Sequence, residues 1–182
     1  MRTVLLIGLL GLACGCTGVY SRQPVGSEPK NLAAEAGEWK GTWTHGGGAI
    51  RVAVTDAEKG ILTAGWVEDG GKGLEYQTAE IHLRTAGTWT FASLKDAKAK
   101  EETRYFWGRI QRQDKTVLVW LPDTAKFKRL IQAGVLPGEA PTNNSPATLE
   151  TLSPSHLRII ASEQEGVLFN WEAPLVFGKI AD

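Results

Sequence analysis

Three histidines are the side chains of this chain best suited to metal binding or acid–base catalysis. His45 opens a glycine-rich turn, His82 lies between two apolar residues of a predicted strand, and His156 follows a Ser-Pro-Ser sequence. No second ligand stands at local metal-binding spacing from any of them, so a metal site is not expected. We interpret all three as ordinary polar residues.

Other arrangements for catalysis are also not found in the sequence. A serine nucleophile on a sharp strand-to-helix turn has the pattern Gly-x-Ser-x-Gly, which does not occur. The glycines at residues 46–48 would cradle a phosphate only ahead of a helix, whereas the residues after them alternate as a strand does. The carboxylate pairs Glu68–Asp69 and Glu101–Glu102 stand at predicted strand ends, where solvated charge belongs. We therefore expect a protein that is not an enzyme and has no cofactor.

The two cysteines, Cys14 and Cys16, end an apolar run that follows an early charge at Arg2. About ten apolar residues and a small-residue junction are the parts of an export signal, and a bilayer-spanning helix needs ~20. Because the run ends on cysteine, the N-terminus resembles a bacterial lipoprotein signal peptide. The resemblance implies cleavage directly before a cysteine, which then carries the lipid, palmitate included, and joins the protein to a membrane.

Either cysteine is a candidate for this lipidation. Lipidation of Cys14 would leave Cys16 as a lone thiol in an oxidising compartment, where it invites intermolecular bonding. Lipidation of Cys16 removes Cys14 with the signal and leaves no free thiol. We favour Cys16 and keep Cys14 as the alternative. The remaining interpretation is a secretory signal that is simply cleaved, with both cysteines as ordinary small residues.

The sequence after the signal indicates location and partners. Thr17 and Gly18 differ from the aspartate that marks inner-membrane retention in enteric lipoproteins, and by that resemblance we expect the outer membrane, facing the periplasm. Lys plus Arg and Asp plus Glu number 20 each, so no basic surplus favours nucleic acid. The expected partners are the membrane, through the N-terminal lipid, and either an envelope protein or a small hydrophobic ligand.

The chain divides into three predicted segments. Residues 1–15 form the signal peptide. Residues 16–37 contain several glycines, serines and prolines with few large apolar groups, which predicts a flexible tether. Residues 38–182 are of a length that forms one domain with a substantial core.

Within that domain, short apolar runs separated by Gly, Asp and Lys predict an antiparallel sheet. Ile50, Val52 and Val54, for example, alternate with residues of the opposite face. The predicted strands are residues 49–56, 61–67, 76–84, 88–94, 103–112 and 115–121. Short turns connect these strands, so consecutive strands should be neighbours.

Helical periodicity appears only later in the sequence. Asp123 is the predicted cap of a helix to residue 132 with Gly134 as its stop, and Ser153 caps a second helix that is expected to end at Gly166. Residues 135–148 are expected to be an exposed loop. Residues 167–171 and 175–180 are predicted as two last strands, and the final one can pair with the first strand to close a barrel.

Seven tryptophans are spread almost one per predicted strand. Trp66 shares strand parity with Leu62 and Ala64, and Trp89 shares it with Phe91, so both tryptophans are expected to face inward. Four tryptophans are candidates for lining a ligand cavity in a barrel: Trp43, Trp66, Trp89 and Trp107. The other interpretation is that they fill the interior as close-packed core.

The stretch Trp39-Lys40-Gly41-Thr42-Trp43 contains a Gly-x-Trp element that resembles the first strand of lipocalins and related calycin barrels. The resemblance implies barrel architecture and no particular ligand. The expected fold is therefore mainly β, an antiparallel calycin-like barrel with two short helices near the C-terminus. The expected function is a membrane-anchored, non-catalytic interaction module. The alternative is a carrier or sensor of a small hydrophobic ligand in an aromatic-lined barrel.

Overall fold

The computed structural model describes residues 18–69, 71, 73–96, 103–143, 145–162 and 168–182. The strands are β1 (Val19–Ser21), β2 (Glu28–Pro29), β3 (Gly41–His45), β4 (Gly48–Asp56), β5 (Ile61–Asp69), β6 (Leu74–Ala86), β7 (Trp89–Lys95), β8 (Tyr105–Gln113), β9 (Thr116–Trp120), β10 (Gly138–Glu139), β11 (Ala147–Leu149) and β12 (Leu175–Ala181). The helices are α1 (Ala36–Trp39), α2 (Thr124–Gln132) and α3 (Pro154–Ile160).

Strands β3 to β9 and β12 form a closed eight-stranded antiparallel barrel. Consecutive strands from β3 to β9 pair with one another, β9 pairs with β12, and β12 pairs with β3 to close the barrel. The predicted hairpin order and the predicted closure by the last strand are thus confirmed. The architecture is the one that the calycin resemblance implies.

The barrel has two ends, which we name for their connections. The hairpin end carries the β3–β4, β5–β6 and β7–β8 connections, and the base carries the β4–β5, β6–β7 and β8–β9 turns. At the hairpin end, Gly46 and Gly47 both have positive φ (57° and 85°), as a two-residue turn between twisted strands requires. At the base, Asp114 lies in the β8–β9 turn and has a positive φ, and it is the one non-glycine residue that does so among the described residues.

The barrel interior is a packed apolar core. Strand register brings Trp43, Leu62, Leu83, Ile110 and Val117 to the inner face, and all five side chains are buried. The alternation of side chains along a strand explains why these positions recur at every second residue. Packing of this kind removes apolar surface from water and stabilises a fold that has no disulfide among its described residues.

The N-terminal segment closes the base of the barrel. Leu32 and Trp39 are buried in the same core as the inner strand residues. The Leu32 amide donates to the Ala57 carbonyl (2.7 Å), which lies in the β4–β5 turn. Gly60 has a φ of 65°, and a Cβ there would lie 2.5 Å from the Lys30 carbonyl oxygen, so the segment crosses this turn where only glycine fits.

A second layer covers the outer face of β7, β8 and β9. Trp89 and Phe91 of β7 and Trp107 of β8 pack there against α2, α3 and the stretch around Phe169. The N-terminal segment also contributes, because Val19 and Val25 are buried in this layer. The fold therefore has two apolar cores that share one wall of the barrel.

The segment predicted to be a flexible tether does not behave as one over its described residues. β1 pairs with β8 and β11, β2 pairs with β6, and Val25 and Leu32 are among the most buried side chains. The glycines and prolines that suggest a tether sit at the bends of a segment that crosses the outer wall and then the base. Cys16 and Thr17 lie outside the described residues.

Three further predictions can be compared with the structure. Both predicted helices are confirmed: Asp123 caps α2, Gly134 follows with a φ of 67°, and Ser153 caps α3, which ends at Ile160 rather than near residue 166. The loop expected over residues 135–148 is partly wrong, because β10 and β11 extend the sheet there and Leu136 is buried. The strand expected at residues 167–171 is reduced, in its described part, to one bridge between Phe169 and Pro122.

Candidate functional site

A cleft of about 380 Å³ opens at the base of the barrel, beside the N-terminal segment. It lies where the inner core and the outer layer meet, between β7–β8 and the segment that closes the barrel. We call it the base cleft. Its lining residues are Lys30, Glu35, Trp39, Thr88, Trp89, Thr90, Arg109, Ile110, Gln111 and Arg112.

Two tryptophans form the deep part of the base cleft. Trp39 belongs to the inner core and Trp89 to the outer layer, and each is 5% exposed. Their rings therefore present little free surface for stacking, and the accessible groups of the cleft are the polar side chains around them. Thr88 and Gln111 are exposed, and the cationic groups beside them are partly exposed.

Arg109 is held on one side of the cleft by aromatic rings. Its guanidinium carbon lies 3.6 Å from the ring centre of Trp89, 4.5 Å from that of Trp171 and 5.6 Å from that of Trp120. Contacts of a cation with ring faces are attractive and fix the planar group in place. The positive charge of Arg109 is thus positioned at the cleft wall by β7, β9 and the stretch before β12.

Two cations and two carboxylates form an ion-pair network on the other side. The Lys30 ammonium lies 2.8 Å from Glu35, and the Arg112 guanidinium lies 3.5 Å from the same carboxylate and also pairs with Glu38. Burial raises the pKa of Glu35, but the Lys30 hydrogen bond and charge, the Trp39 indole and the Arg112 charge lower it by more. The carboxylate is therefore held in its ionised form by this network.

Two buried N–H groups at the cleft have no hydrogen-bond partner among the described residues. They are the indole Nε1 of Trp39 and the guanidinium Nε of Arg112. The Trp39 N–H lies near enough to Glu35 to lower the pKa of that carboxyl, yet not in hydrogen-bond geometry. Buried polar groups are normally paired, and unpaired donors cost free energy. Two such donors beside Lys30 and Arg109 suit an anionic acceptor.

A smaller cleft of about 180 Å³ lies on the outer surface, lined in part by Gly26, Arg84 and Glu150. Its charged groups are already engaged by the protein. Arg84 donates to the carbonyls of Gly26 (2.9 Å) and Ser27 (2.8 Å), and Glu150 accepts from Arg22 (2.6 Å). The cations of the base cleft are also engaged, but the base cleft has two buried donors without a partner, and the residues lining the smaller cleft have none, so the base cleft is the better candidate for a site.

Each of the three histidines interacts with neighbouring residues of the fold. His45 donates to the Val176 carbonyl (2.9 Å) and stacks on Phe177, and His82 lies 2.7 Å from the Glu80 carboxylate. His156 accepts from the Ser153 amide and completes the cap of α3. Over the described part of the chain, no group of three or more His, Cys, Asp or Glu side chains is arranged to hold a metal ion.

The four candidate tryptophans are divided between the two faces of the barrel wall. Trp43 and Trp66 lie on the inner face, Trp66 half-buried opposite Ile50 and Gln77. Trp89 and Trp107 lie on the outer face, so the expectation that Trp89 faces inward is wrong. Alternation along a strand correctly predicts that Trp89 and Phe91 share a face. It does not show whether that face is the inner or the outer one, because an additional layer buries the outer face as well.

Cys14 and Cys16 lie outside the described residues, as do Glu101 and Glu102. In the stretches that the structure describes, no helix is long and apolar enough to cross a membrane. Comparison of the chain with protein-family models, curated proteins and solved structures gives no match.

Proposed function

We propose that this protein is a lipid-anchored, non-catalytic interaction module of the bacterial cell envelope whose base cleft receives an anionic group of its partner. The observation that carries the proposal is the pair of buried, unpartnered N–H donors in a cleft with three cationic side chains. A carboxylate or phosphate oxygen entering the cleft would accept from those donors. Hydrogen bonds to a charged acceptor are stronger than neutral ones, especially where water is excluded.

The charge of the cleft supports the same conclusion. The cations Lys30, Arg109 and Arg112 are opposed by Glu35 in the lining and by Glu38, which pairs with Arg112, so three cations face two carboxylates and an excess of one positive charge remains. The chain as a whole is formally neutral, so this excess is local. A local positive cleft in a neutral protein steers an anionic group to one place on the surface.

The N-terminal sequence supports the anchor and the location. The apolar run ending at Cys14 and Cys16 is the reason to place the protein in the envelope, with Cys16 as the lipidated residue and the outer membrane as the proposed address. Changing Cys16 to Ser should abolish metabolic palmitate labelling, whereas Cys14→Ser should leave it intact. Labelling that is lost only with Cys14→Ser would reverse the assignment, and no labelling of the wild type would contradict the anchor.

The alternative function, a carrier of a small hydrophobic ligand, is supported by half-buried aromatic residues on the inner face at the hairpin end. These are Trp66, Phe106 and Phe177. Below them the interior is filled by buried side chains such as Trp43 and Leu83, and Leu32 closes the base. The packed interior therefore favours recognition from outside the barrel.

Titration calorimetry with defined probes tests the proposed cleft. Acetyl-tetraglutamate amide and inorganic phosphate should each bind residues 17–182 saturably, and added salt should weaken the binding. Lys30→Gln should weaken binding about tenfold, because it removes a cation and leaves Glu35 less neutralised. The matched control is Lys59→Gln, which removes the same charge from an exposed turn at the base outside the cleft.

Two results would contradict the proposal. Equal affinities of the Lys30→Gln and Lys59→Gln variants for both probes would show that the cleft is not the site. Saturable binding of oleate that is weakened by Trp66→Ala, with no binding of the anionic probes, would favour the hydrophobic carrier.

A further inference from the structure

We propose that the Glu35 carboxylate occupies the anion position of the base cleft and that a ligand binds by displacing it. This competition selects a doubly charged group, such as a phosphate monoester, over a single carboxylate. The inference rests on the proposed function, because it concerns the same cleft. It adds the class of anion that the cleft takes and the residue that decides between classes.

The first step is the position of Glu35, which is one of the residues lining the cleft. One of its carboxylate oxygens lies 2.8 Å from the Lys30 ammonium, and the other lies 3.5 Å from the Arg112 guanidinium. These are two of the cationic groups that an anion entering the cleft would contact. The position is therefore filled by a carboxylate of the protein itself, and a ligand has to compete with it.

The second step is the set of donors that Glu35 leaves unsatisfied. With its carboxylate in place, the indole Nε1 of Trp39 and the Nε of Arg112 are still buried without a partner among the described residues. Unpaired buried donors cost free energy, so Glu35 meets the hydrogen-bonding capacity of the cleft only in part. A ligand with more acceptor oxygens than one carboxylate can contact the two cations and also accept from these donors. Such a ligand gains contacts that Glu35 does not make.

The third step is that the Glu35 side chain can leave while the backbone stays in place. Glu35 is the N-cap residue of α1, where a side chain commonly accepts from amides of the first turn, but it makes no such hydrogen bond. Its amide donates to the Leu32 carbonyl (3.0 Å), and its carbonyl accepts from the Glu38 amide (3.0 Å). The side chain is 24% exposed, so rotation about its own bonds carries the carboxylate into water. Displacement therefore breaks side-chain ion pairs and leaves the N-terminal segment on the base.

The fourth step is the comparison of a ligand with Glu35. A single carboxylate from outside would replace one carboxylate by another and would also lose translational and rotational freedom on binding. Glu35 has no such loss, because the chain already holds it beside Lys30. A phosphate monoester attracts both cations with about twice the charge, and its three terminal oxygens can also reach the unpaired donors. The cleft therefore favours a doubly charged group.

Titration calorimetry with residues 17–182 at about pH 8, where inorganic phosphate is mainly a dianion, tests this competition. Glu35→Gln should bind phosphate about tenfold more tightly than the wild type, because the neutral side chain no longer competes for Lys30 and Arg112. The matched variant is Glu38→Gln, which removes another charge paired with Arg112 but from a residue that does not line the cleft. Its gain should be at most about threefold. The wild type should bind phosphate at least about tenfold more tightly than acetate.

A crystal structure of the wild-type complex with phosphate gives the direct check of displacement. The Glu35 carboxylate should point into solvent, and a phosphate oxygen should accept from the Trp39 Nε1. A phosphate ion bound in the cleft with Glu35 still paired to Lys30 would overturn the inference.

Three titration results would also overturn it and leave the proposed function in place. Equal gains for Glu35→Gln and Glu38→Gln would mean that only the net charge of the cleft matters. Weaker phosphate binding by Glu35→Gln would mean that the carboxylate orients Lys30 and Arg112 for the ligand. Equal wild-type affinities for phosphate and acetate would mean that the cleft does not select a dianion. A failure of both the wild type and Glu35→Gln to bind phosphate would instead contradict the proposed function itself.

Discussion

Replacing Leu32 with Ala should be one of the most destabilising conservative changes in this protein. Leu32 is 0% exposed, and it is buried together with the inner strand residues and with Trp39 of the segment that closes the base. Removing a buried leucine side chain beyond Cβ loses its transfer free energy and leaves a cavity, which together cost about 2–5 kcal/mol. At a urea m value of about 2 kcal/mol/M, a loss of about 3 kcal/mol lowers the unfolding midpoint by about 1.5 M.

Leu74→Ala is the matched control, because it makes the same chemical change on a side chain that is 77% exposed. Less than a quarter of that side chain is buried, so its removal should change the free energy of unfolding by no more than about 0.5 kcal/mol. Both variants can be measured by urea unfolding followed by tryptophan fluorescence, with unchanged m values as the check on two-state behaviour.

Similar midpoints for the two variants would refute the reasoning. That result would mean that the N-terminal segment does not close the barrel in solution and that residues up to 37 act as the tether which the sequence suggests. A lowered m value for Leu32→Ala alone would indicate instead that the segment detaches while the barrel stays folded.

Three other changes test separate parts of the structure. Trp107→Ala should lower the free energy of unfolding by about 3–5 kcal/mol, and Trp107→Phe by less than half as much, because the indole N–H has no partner to lose; equal costs for the two variants would contradict this. The pKa of Glu35 is lowered in the folded state, so the ionised carboxylate stabilises the fold above its unfolded pKa, and this contribution is lost as the pH falls below about 5. Between about pH 6 and pH 3, the wild type should therefore lose more stability than Glu35→Gln. Urea unfolding midpoints measured across that range test this difference. Ser153→Ala should cost about 1 kcal/mol, since the hydroxyl accepts from the His156 amide at the start of α3; thermal unfolding that matches wild type would show that this cap is unimportant.

The strands of the barrel can be predicted from sequence because each obeys a local rule. Apolar residues at every second position, such as Ile50, Val52 and Val54, and glycines at the turns define the strands and their order. Helix α3 is equally well marked, because Ser153 and Pro154 carry the signals of a helix start. Local chemistry decides these elements, so no knowledge of the rest of the fold is needed.

The outer layer cannot be predicted in the same way, because it depends on contacts between distant residues. Alternation shows that Trp89 and Phe91 share a face, but only the presence of α2, α3 and Phe169 beside that face makes it a second core. For the same reason the composition of residues 18–37 is misleading. Val25 and Leu32 are isolated apolar residues in a polar segment, and their burial follows from the surfaces that the segment crosses.

The base cleft also lacks a sequence signal. Arg109 and Arg112 stand three residues apart on β8, and alternation places one on each face of the strand. Both arginines line one cleft because Trp39 of the N-terminal segment and Trp89 of β7 form the rest of its wall. The charge, spacing and composition of the sequence do not predict that these separate elements come together.

Closure of the barrel by its last strand has a consequence for how the chain folds. β3 pairs with β12 through partners such as Thr44 and Gly178, so the first and last barrel strands meet only when nearly the whole chain is available. Contacts of such long sequence separation slow folding. Until β12 arrives, the edges of β3 and β9 are unpaired and open to association with other chains. If the chain is exported N-terminus first, as the proposed location requires, its strand edges would stay open to association until its last residues have crossed the membrane.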